Sequence, residues 1–287
     1  MIHFICNPTS GKRKAVKNLR IVERLFTQAN VEYEVHKTDA IRAAEHIARA
    51  LTQGGENDLV VLGGDGTMHE VLNGIVDPAL CHLGLIPSGT GNDFAARLGI
   101  PTKAKKAAEI ILRGQVKDTD YLEIGDRRCM NVAGIGMDVD VLERCNRGKF
   151  KGKLKYFISL LKSIFAFKGY PITVEYEGKT EKHDALIAAA CNGSQIGGGI
   201  RICPNAVVDD NKISVVVVDS IGGKWKLIKA LISLMRGKIL HYPATHHFLC
   251  ERVRFTPDTP CAAQLDGELY TDSQLDVQVR TGLKMYR

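Results

Sequence analysis

The sequence predicts an α/β domain followed by a β-rich one, and three observations carry this reading. Strand-like and helix-like patterns alternate through roughly the first 113 residues. From about Tyr121 onward strand-like runs dominate. In the first half, three turns rich in Gly, Ser and Thr each follow a strand, as happens at the carboxyl edge of an open, mainly parallel sheet. The expected division is an α/β domain over 1–119 and a β-rich domain, a sandwich, over 120–280. The closing segment 281–287 is a candidate to return to the first domain.

The elements follow in order. Residues 2–6 read as a strand that stops at Asn7-Pro8. Thr9, Ser10 and Gly11 then turn into a helix marked by Val16, Leu19, Val22, Leu25, Phe26 and Ala29 at helical spacing. Val31, Tyr33 and Val35 alternate as in a strand. Asp39 is placed to cap the next helix, whose buried stripe is Ile41, Ala44, Ala48 and Leu51.

The stretch Leu59 to Ile75 is the most informative. Leu59 to Leu62 reads as a buried strand, and Gly63, Gly64, Asp65, Gly66 and Thr67 break it. A helix with Val71, Leu72 and Ile75 on its apolar side follows. Glycines let a ligand approach the main chain, and the N–H groups of such a turn and helix start attract phosphate. An acid among phosphates repels them unless a cation lies between or the acid takes a proton. Asp65 is therefore the residue that a plain anion-binding loop does not need.

A strand at Leu83 to Ile86 leads to the third turn, Pro87-Ser88-Gly89-Thr90-Gly91-Asn92-Asp93, and a helix begins near Phe94. A further helix at about 102–113 carries Lys103, Lys105 and Lys106, which read as a solvated face. The turn at residues 7–12 lacks the spacing of a Walker loop and taken alone reads as an ordinary turn. Three such turns after strands point to a shared nucleotide crevice.

In the second half, strands are expected at 121–124, 128–132, 172–176, 186–191, 213–218, 253–256 and 275–279. Helices are expected near 137–146, 153–167 and 224–236. Two of these helices are basic and apolar together. One has Phe157, Leu160, Leu161, Ile164 and Phe165 near Lys151, Lys153, Lys155 and Lys162; the other has Leu227, Leu231, Leu234 and Met235 with Lys224, Lys226, Lys229 and Arg236. Each reads either as a packing helix with a wet basic face or as a peripheral membrane contact. Asp266-Gly267-Glu268 joins two strand-like segments, as a hairpin turn would. Asp209-Asp210-Asn211 reads as a turn or as a hard-cation site.

Composition excludes little but is consistent. Lys plus Arg number 39 against 32 Asp plus Glu, a formal charge of +7. This mild excess fits anionic ligands or an anionic membrane surface, and nucleic acid is not an expected partner. The eight cysteines include no C-x-x-C pair, so they suggest neither zinc nor a redox dithiol, and their apolar settings suggest a reducing cytosol. The run MIHFICNP is too short for a signal peptide, and no apolar run nears the roughly 20 residues of a membrane span. The expected location is cytoplasmic, peripheral at the inner face of the membrane.

The motifs NPTSGK at 7–12, GGDGTMHEVLNG at 63–74, PSGTGNDFA at 87–95, NVAGIGMD at 131–138, GGGIRICPNAVVDD at 197–210 and LDGE at 265–268 occur in that order. Together the chain resembles the diacylglycerol kinase catalytic-domain family, in its bacterial lipid-kinase branch. The resemblance implies an NAD-kinase-like α/β domain and a β-sandwich. It also implies ATP-dependent transfer of the γ-phosphoryl group to a lipid hydroxyl, most simply diacylglycerol giving phosphatidate. By the same resemblance, nucleotide contacts would come from Asn7, Pro8, Thr9, Ser10, Gly11, Thr38, Gly64, Asp65, Gly66, Thr67, Met68, His69, Glu70, Ser88, Gly89 and Thr90. Asp65 would act through Mg²⁺. Glu268 would be the base, with Asp266 as its rival. The Val207 and Lys212 carbonyls with Asp210 would hold a structural Mg²⁺. His69 replaces a common Asn, and Asn211-Lys212 replaces a common Gly-Leu. Other readings stay open: a kinase of a sphingoid base or phosphatidylglycerol, a soluble NAD kinase, an inactive nucleotide-binding membrane regulator, and a homodimeric state for any of them.

Overall fold

The computed structural model describes residues 1–136, 139–140, 169–271 and 274–287. The helices expected near 137–146 and 153–167, with Met137 and Asp138, lie outside the described residues but for 139 and 140. The chain divides into two compact units. Unit 1 is Met1–Asp120 with Thr281–Arg287, and unit 2 is Tyr121–Arg280. Among the described residues no helix is long and apolar enough to cross a membrane.

Unit 1 alternates strand and helix: β1 (Ile2–Cys6), α1 (Ser10–Gln28), β2 (Tyr33–Lys37), α2 (Ala43–Gln53), β3 (Asp58–Gly63), α3 (Asp65–Gly74), β4 (His82–Pro87), α4 (Asp93–Arg97) and α5 (Ala104–Leu112). Its sheet is parallel, in the order β4-β3-β1-β2. The closing segment returns beside β4, with Lys284 opposite His82 and Met285 opposite Leu83. Leu59 to Leu62 are fully buried, as a strand covered on both faces requires. Phe4 packs edge-on against Phe26 at 4.9 Å, which docks α1 on β1.

Two expectations about α2 are corrected. Ile41 is 90% exposed and precedes the helix, because Arg42 adopts a left-handed backbone (φ 62°) that stops the helix from extending backward. Asp39 does not cap α2. Instead the Glu70 carboxylate of α3 accepts the N–H groups of Arg42 and Ala44 at 3.2 Å each. The start of α1 also differs: Gly11, Lys12 and Arg13 form a left-handed turn (φ 56–69°) before the regular helix begins.

Unit 2 holds the end of β5 (Val116–Ile124), then β6 (Arg127–Cys129), β7 (Val132–Gly136), β8 (Tyr170–Tyr176), β9 (Lys179–Cys191), β10 (Ile213–Asp219), α6 (Lys224–Met235), β11 (Thr245–Cys250), β12 (Arg252–Pro257), β13 (Ala263–Leu265), β14 (Glu268–Tyr270) and the start of β15 (Leu275–Tyr286). The pairing is antiparallel. The long β9 joins β8 along its first half and both β7 and β10 along its second. Side chains of β9 and β10 are buried on both faces: Ala188, Ala190, Val215 and Val217 in one apolar cluster, Ile187, Ala189, Val216 and Val218 in another. Burial on both sides explains why these runs show no polar alternation. This is the β-sandwich domain, with β11 and most of β7 as strands that the sequence pattern did not announce.

Candidate active site

Strand register assembles the first group of residues. Cys6 lies opposite Leu62, and Gly63 opposite Pro87. The turns after β1, β3 and β4 therefore leave the sheet at one level, on three adjacent strands. They lock together through short contacts. Asn7 Nδ2 donates to Thr67 Oγ1 (3.2 Å), and the Asn7 N–H to the Leu62 carbonyl (3.1 Å). Thr9 donates its N–H and its hydroxyl to Asn7 Oδ1. The Ser88 and Gly89 N–H groups both donate to the Gly63 carbonyl. Asn18 Nδ2 from α1 donates to the buried Ser88 Oγ at 2.8 Å.

Gly64 and Gly89 face each other backbone to backbone. A methyl on Gly64 would stand 3.0 Å from the Gly89 Cα, and one on Gly89 would collide with the Gly64 Cα. No side chain fits there, so main chain alone forms the junction, with the Gly89 N–H turned to Asn92 Oδ1 and the Gly63 carbonyl. Ser10 borders it, and Gly11 packs against the Ser88 carbonyl. The first N–H groups of α3 have no intrahelical partner and can receive an anion.

Asp65 lies beneath this junction. Its Oδ2 accepts the Asn92 N–H (2.7 Å), and its Oδ1 accepts those of Asp93 (2.8 Å) and Phe94 (3.4 Å). Burial, helped by the neighbouring Asp93 and opposed by those three N–H groups, raises its carboxyl to about 6. The acid that the sequence singled out is thus anchored to the start of α4. A carboxylate has about four acceptor sites, so one remains for a ligand.

The other expected nucleotide contacts fall into two groups. Pro8, Thr9, Ser10, Gly11, Gly64, Gly66, Ser88, Gly89 and Thr90 belong to the three locked turns, and Thr38 joins them by donating its N–H to the Cys6 carbonyl (2.9 Å). Met68 (2% exposed) and His69 (4%) are buried in α3, and Glu70 holds α2. Asn18, Asn92, Asp93 and Phe94 were not among the expected residues. The last three stand in the quoted PSGTGNDFA motif, but nothing in a linear pattern says which acid their N–H groups meet.

In unit 2, Asp266 and Gly267 form a two-residue hairpin turn with positive φ (53° and 90°) between β13 and β14. Asp266 Oδ2 accepts the Met130 N–H (2.8 Å), and Oδ1 accepts those of Asn131 (2.7 Å) and Val132 (3.3 Å). Cys129 Sγ also donates to Oδ1 (3.1 Å). Gln264 Oε1 takes the Gly267 N–H. Glu268, two residues on, is exposed at the start of β14. One acid of the pair is fastened to the sheet while the other faces solvent.

The oxygen set of Val207, Asp210 and Lys212 lies in an exposed loop before β10. Asp210 Oδ1 accepts the Lys212 N–H at 3.0 Å, and Lys212 Nζ pairs with Glu251 at 2.7 Å. Asn211 takes the left-handed backbone (φ 56°) that a glycine would supply. Asn enters that region more readily than most residues. The exchange of glycine for Asn211 therefore leaves the tight turn intact, and a carboxylate plus main-chain carbonyls suits Mg²⁺.

Comparison with known proteins finds a related domain for each half of the chain. Residues 1–124 match the diacylglycerol kinase catalytic domain, and residues 131–283 match the YegS C-terminal NAD kinase beta sandwich-like domain. The chain belongs to the diacylglycerol kinase catalytic-domain family. It is 27% identical over 274 residues to a diacylglycerol kinase of Bacillus subtilis, covering 92% of this chain and 88% of that protein. It is 29% identical over 281 residues to one of Mycobacterium tuberculosis, covering 92% and 90%. A diacylglycerol kinase structure from Bacillus anthracis matches with a TM-score of 0.81 at 24% identity, over 99% of this chain and 96% of that one. At that identity the structure speaks to the fold alone, an NAD-kinase-like α/β domain with a β-sandwich.

Proposed function

We propose that this chain is an ATP-dependent lipid kinase that transfers the γ-phosphoryl group to a lipid hydroxyl, with diacylglycerol as the first candidate acceptor. The observation that carries the reading is the junction of three turns over Asp65, in a chain matched by family models across both units.

Phosphoryl transfer needs alignment, charge neutralisation and a place for the acceptor proton. ATP would supply the phosphoryl group, and Mg²⁺ would neutralise charge on its phosphates. The N–H groups at Gly64, Gly66 and Thr67 bind and orient phosphate oxygens, while the Gly89 N–H closes its own turn on Asn92 Oδ1 and the Gly63 carbonyl. Asp65 holds the third turn against α3 through Asn92 and Asp93, and so sets the shape of the phosphate seat. Glu268 is the base. Its carboxylate is exposed on the hairpin, whereas Asp266 is less exposed and its oxygens accept three N–H groups and a thiol. The oxygens at Val207, Asp210 and Lys212 would brace the β10 loop around Mg²⁺.

Peripheral membrane contact belongs to the same proposal. The helix α6 turns Leu227, Ala230, Leu231 and Leu234 inward, and Leu234 packs on an apolar cluster of unit 2. Its outer face carries Trp225 (79% exposed), Ile232 (44%) and Met235 (50%) among Lys226, Lys229 and Arg236. An indole and apolar chains set among basic groups suit an anionic lipid interface. The basic, apolar helix expected at 153–167 lies outside the described residues.

The test is transfer of label from γ-labelled ATP to a panel of diacylglycerol, sphingoid base, phosphatidylglycerol and NAD. Label in the organic phase with diacylglycerol supports the reading. Label in a sphingoid base or phosphatidylglycerol instead moves the acceptor, label in NADP overturns the lipid assignment, and ATP binding without turnover overturns the enzyme.

A further inference from the structure

His3, Glu34 and His36 lie on two adjacent strands of unit 1, the inner strand β1 and the edge strand β2, where His3 pairs with Glu34 and Ile5 with His36. Residues two apart on a strand share a face. The short spacing Glu34-Val35-His36 therefore brings a carboxylate and an imidazole to the His3 ring. Three atoms converge there. His3 Nδ1 is 3.1 Å from His36 Nε2 and 3.6 Å from Glu34 Oε2, and His36 Nε2 is 3.7 Å from that same oxygen. In a tetrahedral zinc site with ligands at about 2.0–2.1 Å, neighbouring ligand atoms stand roughly 3.4 Å apart. The triangle is already close to that size.

A second feature is independent of the triangle. On the other side of its ring, His3 Nε2 meets Glu56 Oε2 at 3.1 Å. A carboxylate at that nitrogen retains the ring proton there and leaves the Nδ1 lone pair facing the triangle. This carboxylate–imidazole pairing is the outer-shell arrangement that orients metal-ligating histidines. His3 is 2% exposed, so its ring is held by packing, while Glu34 is 57% exposed and opens the cluster to solvent.

We infer that His3 Nδ1, His36 Nε2 and Glu34 Oε2 bind a divalent transition metal of the zinc class, with a fourth position open to water. Two imidazoles and one carboxylate suit Zn²⁺, whereas Mg²⁺ and Ca²⁺ take sets made of oxygen. In the metal-free protein, His36 Nε2 donates its proton to His3 Nδ1. Binding moves that proton to the other nitrogen of the His36 ring, so no oxidant or further reactant is needed. His3 is four residues along β1 from Asn7, roughly 13 Å at about 3.3 Å per residue. The metal would thus clasp the edge strand β2 to β1, away from the phosphate junction.

Unit 2 holds a comparison cluster, His183, Asp219 and His246. There the two imidazoles meet opposite oxygens of Asp219, at 3.0 and 2.8 Å. That is the pattern of one carboxylate accepting two N–H groups, although one ligand atom from each residue also lies within 4.8 Å of the others, which makes this cluster the control for the titration.

The experiment is titration of the purified full chain with Co²⁺, whose visible absorption reports tetrahedral nitrogen and oxygen ligation, followed by displacement with Zn²⁺. The expected result is a tetrahedral band that Zn²⁺ abolishes. Glu34→Gln and His36→Gln each remove the band or weaken binding at least tenfold, and His246→Gln leaves it unchanged. Glu56→Gln weakens binding by about 10–100-fold. Glu34 is exposed, so its variant keeps the fold, as far-ultraviolet circular dichroism would verify. No band in the native chain, a band that survives both Glu34→Gln and His36→Gln, or a band lost in His246→Gln overturns the assignment.

Discussion

Asp266 Oδ1 accepts the backbone N–H of Asn131 at 2.7 Å, and Asp65 Oδ2 accepts that of Asn92 at the same distance. Each aspartate takes three successive backbone N–H groups of a segment distant in sequence, 130–132 in unit 2 and 92–94 in unit 1. Both acids fasten one loop to another, and this separates Asp266 from Glu268.

The separation is measurable. Asp266→Asn replaces one accepting oxygen by a donor among N–H groups and should destabilise the protein by on the order of 2–3 kcal/mol. Glu268→Gln changes an exposed side chain and should shift stability by less than about 0.5 kcal/mol, while lowering turnover by roughly 10²–10⁴-fold if it is the base. Urea unfolding and steady-state kinetics on both variants decide this. Unchanged turnover in Glu268→Gln removes it from the mechanism.

Asp65 makes stability depend on pH with a sign opposite to that of most carboxylates. Its folded pKa, about 6, lies above the ordinary value of 3.8, so the folded state holds the proton more tightly than the unfolded one. The stability it contributes is full below about 3.8 and is lost as pH rises through about 6. The advantage of the native protein over Asp65→Asn should therefore shrink between pH 4 and pH 6. Thermal unfolding at closely spaced pH values tests this, and a constant difference would contradict the raised value.

Gly89→Ala should break the phosphate seat. The added methyl meets the Gly64 backbone, which cannot yield as a flexible side chain would. Overpacking of this kind costs about 1–3 kcal/mol. Separation of the two loops should weaken ATP binding at least tenfold, read by calorimetry. Full affinity would mean that the close approach of Gly64 and Gly89 does not serve the nucleotide.

At the loop before β10, Mg²⁺ should raise the melting temperature of the native chain and leave that of Asp210→Ala unchanged. Asn211→Gly relieves a left-handed non-glycine residue and should stabilise the protein by up to about 1 kcal/mol with metal affinity retained. Equal Mg²⁺ responses in the native chain and Asp210→Ala would exclude this loop as the metal site.

On α6, Trp225→Glu and Ile232→Glu should each lower co-sedimentation with anionic vesicles several-fold, with little change in melting temperature. The side chains are exposed, so the fold loses little when they change. Binding of the native chain should also fall as salt rises, since basic groups near an anionic surface act within a Debye length. Unaltered sedimentation of both variants would remove this helix from the interface.

Much of the fold was readable from local pattern. The buried run at Leu59 to Leu62, the stripe of α1 and the alternation of strand and helix announce themselves because burial on a regular element leaves a period in the sequence. The strand β11, with the run THHFLC mostly exposed or half-buried, leaves none. The cap of α2 misled for a related reason. Asp39 is the nearest acid in sequence, yet Glu70, 26 residues beyond Ala44, makes the contact.

By itself the sequence determined which residue types stand at each turn and which segments pair as strand and helix, hence the family and its two-domain order. Only the tertiary structure decided what each acid does. Asp65 and Asp266 are held by N–H groups, Glu70 caps a neighbouring helix, Glu268 stands exposed at the start of β14, and Glu34 converges with two histidines. The reason is physical: a carboxylate's role follows from the donors within about 3 Å of it. In a folded chain those donors come from strand register and loop packing, which join positions that no local spacing connects.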